Sequence, residues 1–485
     1  MTDLARLAGP IACAGLAVLL VSRTRRNRIA GFGYCAVGTA LLVASLAHGS
    51  AAELAGAIVG GVVLAPLLAR LFRREPWLVA YGTLAFLPLR VGYLGHELLV
   101  PLYAVSLGAA VLLLWQLVDG DERSRELGLF TWPLALFVGW TGLSLGWTVD
   151  VRAGAVEVLA FYIPLTILAL SIARLPWNAL RLRLLYVELV LMALLFACVG
   201  LYQYATRTIF ENGKLKVDNA YTAIFRVNSL FWDPSIYGRF LVVALIPTVV
   251  LIVRGRSLRA GVAAAVFAVV AWFGLLFSFS QSSFAALLVG VIGVAAVAWR
   301  WKAALAVAAA VVVLAGIAFG QPSIRHALLH HTKAGLNSAS SGRYSLVSNG
   351  LRIAKAHPAV GVGVGGFSKA YSKRTHRSPR KSASHDTPVT VAAEGGAVGE
   401  LLYLWLLVAV FAAAARRVDR SLYGNVALAA GLAVGAIFVH SLFYNDFFED
   451  PTTWGLLGLI ALTAPRRVRA KEAAPAVEKK EPVVV

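Results

Sequence analysis

The chain has 485 residues, 59% of them apolar, with 45 Lys and Arg against 24 Asp and Glu and a formal net charge of +21. Apolar runs of about 18 residues recur along it, each long enough to cross a hydrocarbon core of roughly 30 Å, which argues against a soluble globular domain and predicts an all-α, polytopic membrane protein. Cys13, Cys35 and Cys198 fall in or beside apolar runs, so no disulfide framework is expected.

In chain order, hydropathy predicts spans near 8–22, 31–47, 53–70, 77–94, 99–117, 129–147, 153–173, 184–205, 237–253, 259–278, 283–299, 303–320, 388–414, 422–443 and a short one at 453–464, a count of about 12–15 transmembrane helices. Basic residues mark alternate ends of these spans: Arg23 to Arg28, Arg73-Arg74, Arg174 to Arg183, Arg254-Gly-Arg256, Arg300-Trp-Lys302, Arg416-Arg417 and Arg466-Arg467. Because Lys and Arg near span ends stay cytoplasmic, they predict an N-terminus outside and a C-terminus inside. The mixed loop Asp119 to Glu126 neither supports nor opposes this. The first span is followed by its basic cluster and reads as an anchor rather than a removed signal peptide. Residues 1–465 are expected to form one membrane domain, with external loops at about 206–236 and 321–387. Residues 466–485, rich in Lys, Glu, Ala and Pro, are expected to be a disordered cytoplasmic tail.

Inside the spans, a charged Glu157 or Glu188 costs about 2.5–3.5 kcal/mol at mid-bilayer, so each must pair or be protonated, and a structural hydrogen bond is favoured over a proton relay. Arg90 and Glu97 are placed to pair near the outer end of their span. The first external loop carries Arg226 and Asp233, with Arg239 just beyond it, and Ser278-Phe-Ser280-Gln281-Ser282-Ser283 makes a polar turn between two spans.

The second external loop is the unusual one. Between Gln321 and His385 lie eleven Lys and Arg, six of the nine histidines and no Asp or Glu. Positive charge on the side that the positive-inside bias disfavours points to an anion. Leu346, Leu351, Ile353 and Ala354 recur at helical spacing, which predicts an amphipathic surface helix over Tyr344 to Ala356, stopped by Pro358. The run Gly361 to Gly366 reads as turn geometry rather than a nucleotide cradle, because no strand, helix and acidic residue frame it. A solvated basic stretch, Lys369 to Lys381, follows.

The loop ends on His385-Asp386, then nine residues, then Gly396-Ala-Val-Gly399 entering a long span. A neutral imidazole at a helix mouth can take a proton near neutral pH, and the small residues after it allow close helix approach. By itself a histidine in a basic loop is more often a solvated side chain. Guanidinium groups such as those of Arg226, Arg239 and Arg343 bind phosphate oxygens through paired donors, which suits a diphosphate, although each could equally snorkel to lipid headgroups. Asp446, Glu449 and Asp450 form an outer acidic cluster, read as docking the basic loop in preference to orienting His385.

Taken together these residues resemble the O-antigen ligase and polymerase family of bacterial membrane glycosyltransferases. His385-Asp386-x9-Gly396-x-x-Gly399 is similar to the family's His, small polar residue, nine residues and Gly-x-x-Gly. Arg343 followed by Pro358-Ala-Val-Gly361-Val-Gly363 and Phe367 resembles its Arg, Pro-Leu-x-Gly-x-Gly and aromatic succession. Arg226 with Ser229-Leu-Phe231-Trp-Asp233-Pro234-Ser235 resembles its Arg then Gly-x-Phe-x-Asn-Pro-Asn. Coverage runs from about Leu184 to Leu462. Gln281 stands where the family commonly has Arg, and Asp386 and Ser235 also depart from the usual residues.

The resemblance implies an undecaprenyl-diphosphate-linked glycan donor, an acceptor glycan or glycolipid with a reacting sugar hydroxyl, inversion, no metal and no cofactor. It implies His385 as the base that activates the acceptor hydroxyl. Arg226 would hold the diphosphate with Arg239, Arg343 and Gln281 around it, and Asp386, Gly396 and Gly399 would support the base. The setting is the cytoplasmic (inner) membrane with the site facing outside, membrane lipids are partners, and no nucleic acid is expected. The competing expectation is a transporter or flippase of a lipid-linked anionic saccharide, with Arg90, Glu157 and Glu188 along its pathway. A weaker one is a non-catalytic scaffold that binds anionic polymer. Polymerase and ligase differ only in the acceptor and are not separated by the sequence.

Overall fold

The computed structural model describes residues 2–46, 51–89, 91–93, 96–210, 212–221, 224–320, 342–376 and 383–462. Helices α1 (Thr2–Val21), α2 (Arg25–Leu46) and α3 (Ala51–Arg74) open the chain. A Cβ on Gly38 would meet the Ala12 amide at 2.4 Å. Small residues thus bring α1 and α2 into backbone contact, as membrane helices do where neither offers a hydrophobic advantage over lipid.

Helix α4 (Leu78–Phe86) has nine residues, not the full span predicted over 77–94. Pro88 has no amide to continue the ladder. The chain unwinds there through bonds from Leu87 to Leu84 and Leu89 to Phe86, then forms the small hairpin β1 (Val91–Tyr93) and β2 (His96–Leu98), paired antiparallel with Val91 opposite Leu98. The expected pairing of Arg90 with Glu97 lies outside the described residues.

Helices α5 (Val100–Val118), α6 (Thr131–Ser144), α7 (Val151–Glu157), α8 (Ile163–Arg174) and α9 (Ala179–Thr206) follow. A π-helical turn, Val158–Tyr162, joins α7 to α8 as one span, Val151–Arg174. Pro164 cannot donate to the carbonyl four residues back, and widening the turn removes the clash. Short α10 (Gly213–Tyr221) lies in the connection between α9 and α11 (Pro234–Arg254), which α12 (Leu258–Ser278) and α13 (Gln281–Gly320) follow. The sequence predicts a turn at Arg300-Trp-Lys302 between two spans. Instead α13 runs unbroken for 40 residues, and the stretch around those residues contains neither Gly nor Pro to interrupt it.

Helices α14 (Arg343–Ala356), α15 (Phe367–Thr375), α16 (Thr387–Ala415), α17 (Leu422–Ser441) and α18 (Pro451–Leu462) complete the chain. Helix α14 forms where the amphipathic pattern predicts it and buries Leu346, Gly350 and Ile353. Leu351 is 47% exposed and lies off that face. The basic stretch from Lys369 is helical as far as Thr375. Its continuation at 377–382, the loop segment 321–341 and the tail with Arg466 and Arg467 lie outside the described residues. Among the described residues ten helices are long and apolar enough to cross a membrane. The fold is that of an all-α, multi-pass membrane protein.

Two cores hold the bundle. One gathers α1, α2, α5, α6, α8, α16 and α18 around Leu16, Leu113, Phe137, Leu168, Tyr403 and Trp454. The other gathers α9, α11 and α12 around Phe196, Tyr237, Phe240 and Leu275. Helix α17 ties them, giving Val434 and Ile437 to the first and Ala433 and Ala436 to the second. The basic loops meet at one end of this bundle. There Arg28 pairs with Glu126, Arg73 with Asp119 and Arg174 with Asp121, and Arg125 donates to the Val21 carbonyl. At the other end Arg6 donates to the carbonyls of Gly146 and Thr148, and Trp147 to that of Val360.

Candidate active site

The end that carries Arg6, Trp147 and Val360 also holds the mouth of α16, and there the backbone sets the site. Asp386 caps the helix, its Oδ1 accepting the Val389 amide at 2.9 Å. The Ser384 hydroxyl donates to the Asp386 carbonyl at 2.7 Å. This turn holds His385 at φ 68°, in the left-handed region, a conformation tolerated at a cost of order 1–3 kcal/mol and often found at functional sites. Burial raises the Asp386 carboxyl above its ordinary value, and the Val389 amide opposes the rise.

Two turns into α16 the helix breaks at Gly396, φ 64° and ψ −162°. That conformation is essentially glycine-only. The break frees carbonyls, and the second loop's glycine run satisfies them. Val362 and Gly363 amides donate to the carbonyls of Ala393 and Glu394 at 3.0 and 2.9 Å, and Ala397 donates to Pro358 at 2.8 Å. The Trp140 indole takes the Gly395 carbonyl at 3.0 Å, with Gly399 against the same ring. A Cβ on Gly361 would lie 2.3 Å from the Glu394 carbonyl. The glycine run is therefore a clasp on a kinked helix, in keeping with turn geometry.

His385 is 8% exposed and its ring centre lies 5.9 Å from that of Tyr444, edge to face. It faces a cavity of about 180 Å³ bounded also by Trp232, Ile236, Arg239, Tyr444 and Glu449. Arg239 shares this cavity but is committed. It pairs with Asp446, and its Nε lies 2.9 Å from Asp450 Oδ2. Two carboxylates against one guanidinium leave no surplus positive charge there. Two members of the acidic cluster, Asp446 and Asp450, thus brace α11, while Glu449 lines the cavity.

Arg226 sits in the connection between α9 and α11. Its backbone is gripped by Asn219, whose Oδ1 accepts the Arg226 amide at 3.0 Å and whose Nδ2 donates to the Arg226 carbonyl at 2.9 Å. Its Nε donates to the Ser278 carbonyl at 3.1 Å, three residues before exposed Gln281, the first residue of α13. Burial pulls the Arg226 guanidinium down. Asp233 opposes this, and Arg343, at the exposed start of α14, adds to it. A second guanidinium close enough to repel the first is the arrangement an anion would relieve. Tyr444, whose ring packs against His385, also stands within electrostatic reach of Arg226, although neither Arg226 nor Arg343 lines the His385 cavity.

A second cavity of about 60 Å³ adjoins the first. Both are lined by Phe161, Asn445, Asp446 and Glu449, and the second also by Glu157 and Glu394. Glu394 Oε1 accepts the Phe367 amide at 3.0 Å. The π-turn after Glu157 supplies Phe161 and Tyr162 to this wall. Glu188 lies on α9 and lines neither cavity. Sequence reasoning did not single out Glu394, Tyr444 or buried His440, whose ring lies 5.7 Å from Tyr444. Glu394 was within the nine residues counted as spacing, and the other two carry no local motif.

Residues 266–404 match the family model described as O-antigen ligase. The resemblance is to the O-antigen ligase family. The matched stretch runs from α12 through Gln281, Arg343, the glycine clasp, His385 and the Gly396 kink, all of which the O-antigen ligase pattern therefore spans. Arg226 and Arg239 precede it, and Tyr444 and the acidic cluster follow it. No curated protein matches the chain. An O-antigen ligase-like segment in a multi-pass membrane protein supports cell-envelope polysaccharide biosynthesis, with lipid-linked glycan transfer as its general activity.

Proposed function

We propose that this chain transfers a glycan from an undecaprenyl-diphosphate donor to a sugar hydroxyl at the outer face of the cytoplasmic membrane. The observation that carries this reading is the gathering at one end of the bundle of His385, its ring centre 5.9 Å from that of Tyr444, with Arg226, held on the Ser278 carbonyl, and Arg343. His385 takes the proton of the acceptor hydroxyl as that oxygen forms its bond to the anomeric carbon. The bond from that carbon to the diphosphate oxygen breaks with inversion, and the electron pair leaves with the diphosphate. Arg226 and Arg343 stabilise the charge that builds on the leaving oxygens, more in the transition state than in the ground state. Gln281, exposed three residues after the Ser278 carbonyl that Arg226 holds, adds a neutral donor. Arg239, already matched by Asp446 and Asp450, positions the cavity wall instead of supplying net charge. The acceptor is a second lipid-linked unit in a polymerase and a different glycan or glycolipid in a ligase.

The test is purified protein in detergent with a defined polyprenyl-diphosphate oligosaccharide, followed by mass analysis of lipid and glycan products. Product formation without compartments separates transfer from transport. His385→Ala lowers the rate by about 10²–10⁴-fold, and Arg226→Ala by about 10²–10³-fold. Either variant, folded and transferring at the wild-type rate, ends the proposal.

A further inference from the structure

The bundle end opposite His385 carries a cleft of about 1490 Å³ between the α5–α6 loop, the α8–α9 turn, the α16–α17 turn and the end of α18. Arg123, Arg125, Arg416 and Arg417 line it with Glu126 and Asp419, four cations to two anions, and exposed Leu129 and Tyr423 are among its apolar walls. Its charge is not balanced from within. Arg28, Arg123 and Arg174 are set against Asp121 and Glu126 in a connected lattice of ion pairs, three cations to two anions. Arg125, Arg416 and Arg417 make no ion pair among the described residues.

Arg125 is also fixed in place. It sits at φ 52°, its Nε donates to the Val21 carbonyl at 3.0 Å, and its guanidinium lies 5.5 Å from the Trp132 ring centre. Arg416 is exposed, and Arg417 is partly buried and forms no ion pair with Asp419, the carboxylate that lines the cleft two residues on. A partly desolvated cation without a counter-charge is relieved by an incoming anion. Basic residues at helix ends attract anionic lipid in general. This cleft adds an apolar trough beside its guanidinium groups, so that a phosphodiester and the start of its acyl chains fit together.

We propose that the cleft binds an anionic phospholipid, with its phosphodiester on Arg125, Arg416 and Arg417 and its acyl chains along Leu129 and Tyr423. This site is independent of glycan transfer, which is placed at the other end of the bundle.

The experiment is native mass spectrometry of the full-length protein in detergent with phosphatidylglycerol, phosphatidylcholine or inorganic phosphate as the added probe. Phosphatidylglycerol is retained in preference to phosphatidylcholine, and phosphate does not displace it. The double substitution Arg416→Gln with Arg417→Gln lowers its retention roughly 30-fold, while Arg352→Gln, exposed at the other end, leaves it unchanged. Should the double variant fail to fold, Ser124→Asp serves. Ser124 lies in the α5–α6 loop and lines the cleft, so the substitution adds a negative charge there, and it also weakens retention. Equal retention of the two lipids, displacement by phosphate, or retention unmoved in the folded variants overturns the proposal.

Discussion

The two ends of the bundle use arginine in opposite ways. At the end holding Arg28 and Arg174, both side chains are almost fully buried and each guanidinium has a carboxylate, with Glu126 shared between them. At the other end Arg226 rests on a carbonyl and makes no ion pair among the described residues, with Asp233 and Asp218 attracting it and Arg343 repelling it. Desolvating a charge is tolerable when a partner is built in, so the first arrangement fastens loops together. The second leaves electrostatic demand for something outside the chain. Arg239 shows that the distinction is not one of location, since it borders the His385 cavity and yet is paired twice.

Breaking the fastened end has the largest expected effect. Glu126→Ala strands buried Arg28 without its carboxylate, leaves Arg174 with Asp121 alone, and lowers stability by about 3–5 kcal/mol, read by denaturant or thermal unfolding in detergent, while transfer per folded molecule stays near wild type. At the site end the weak point is backbone. Gly396→Ala forces a Cβ to within 2.4 Å of the Ala359 carbonyl at φ 64°, costing about 1–3 kcal/mol and lowering transfer as the clasp loosens. Arg226→Lys keeps the charge and loses the fork. It lowers transfer about tenfold with little change in unfolding, whereas Arg239→Lys shows the reverse pattern.

The smallest effect is in pH. Burial alone would raise the Asp121 carboxyl, but hydrogen bonds from Arg123 and the charge of Arg174 outweigh it and hold it at about 2. Its folded value lies below the ordinary 3.8, so its stabilisation is present above about pH 4 and is lost as pH falls through 2. Asp121→Asn is therefore less stable at neutral pH and shows a flatter acid limb in unfolding measured from pH 6 to 2.

Much of this was legible in the sequence because its cause is local. Apolar runs gave most spans, and the spacing of Leu346 and Ile353 gave α14, whereas the basic cluster Arg300-Trp-Lys302, read as a span end, lies inside α13. The exceptions follow from single residues or their absence: Pro88 cuts α4 short, and no breaker near Arg300 interrupts α13. Long-range partners were not legible. Arg239 reads as a free phosphate ligand until Asp446, 207 residues away, is seen against it. Glu394 reads as spacing until the kink at Gly396 turns it beside the Phe367 amide. Tyr444 enters only because α17 ends where α16 begins.

The φ of 68° at His385 has a practical corollary. Asparagine accepts left-handed backbone about as readily as histidine does, so His385→Asn leaves the turn between Ser384 and Asp386 undisturbed while deleting the imidazole. The outcome is an idle form with its cradle intact, one that accumulates loaded with both reactants and can be imaged in that state.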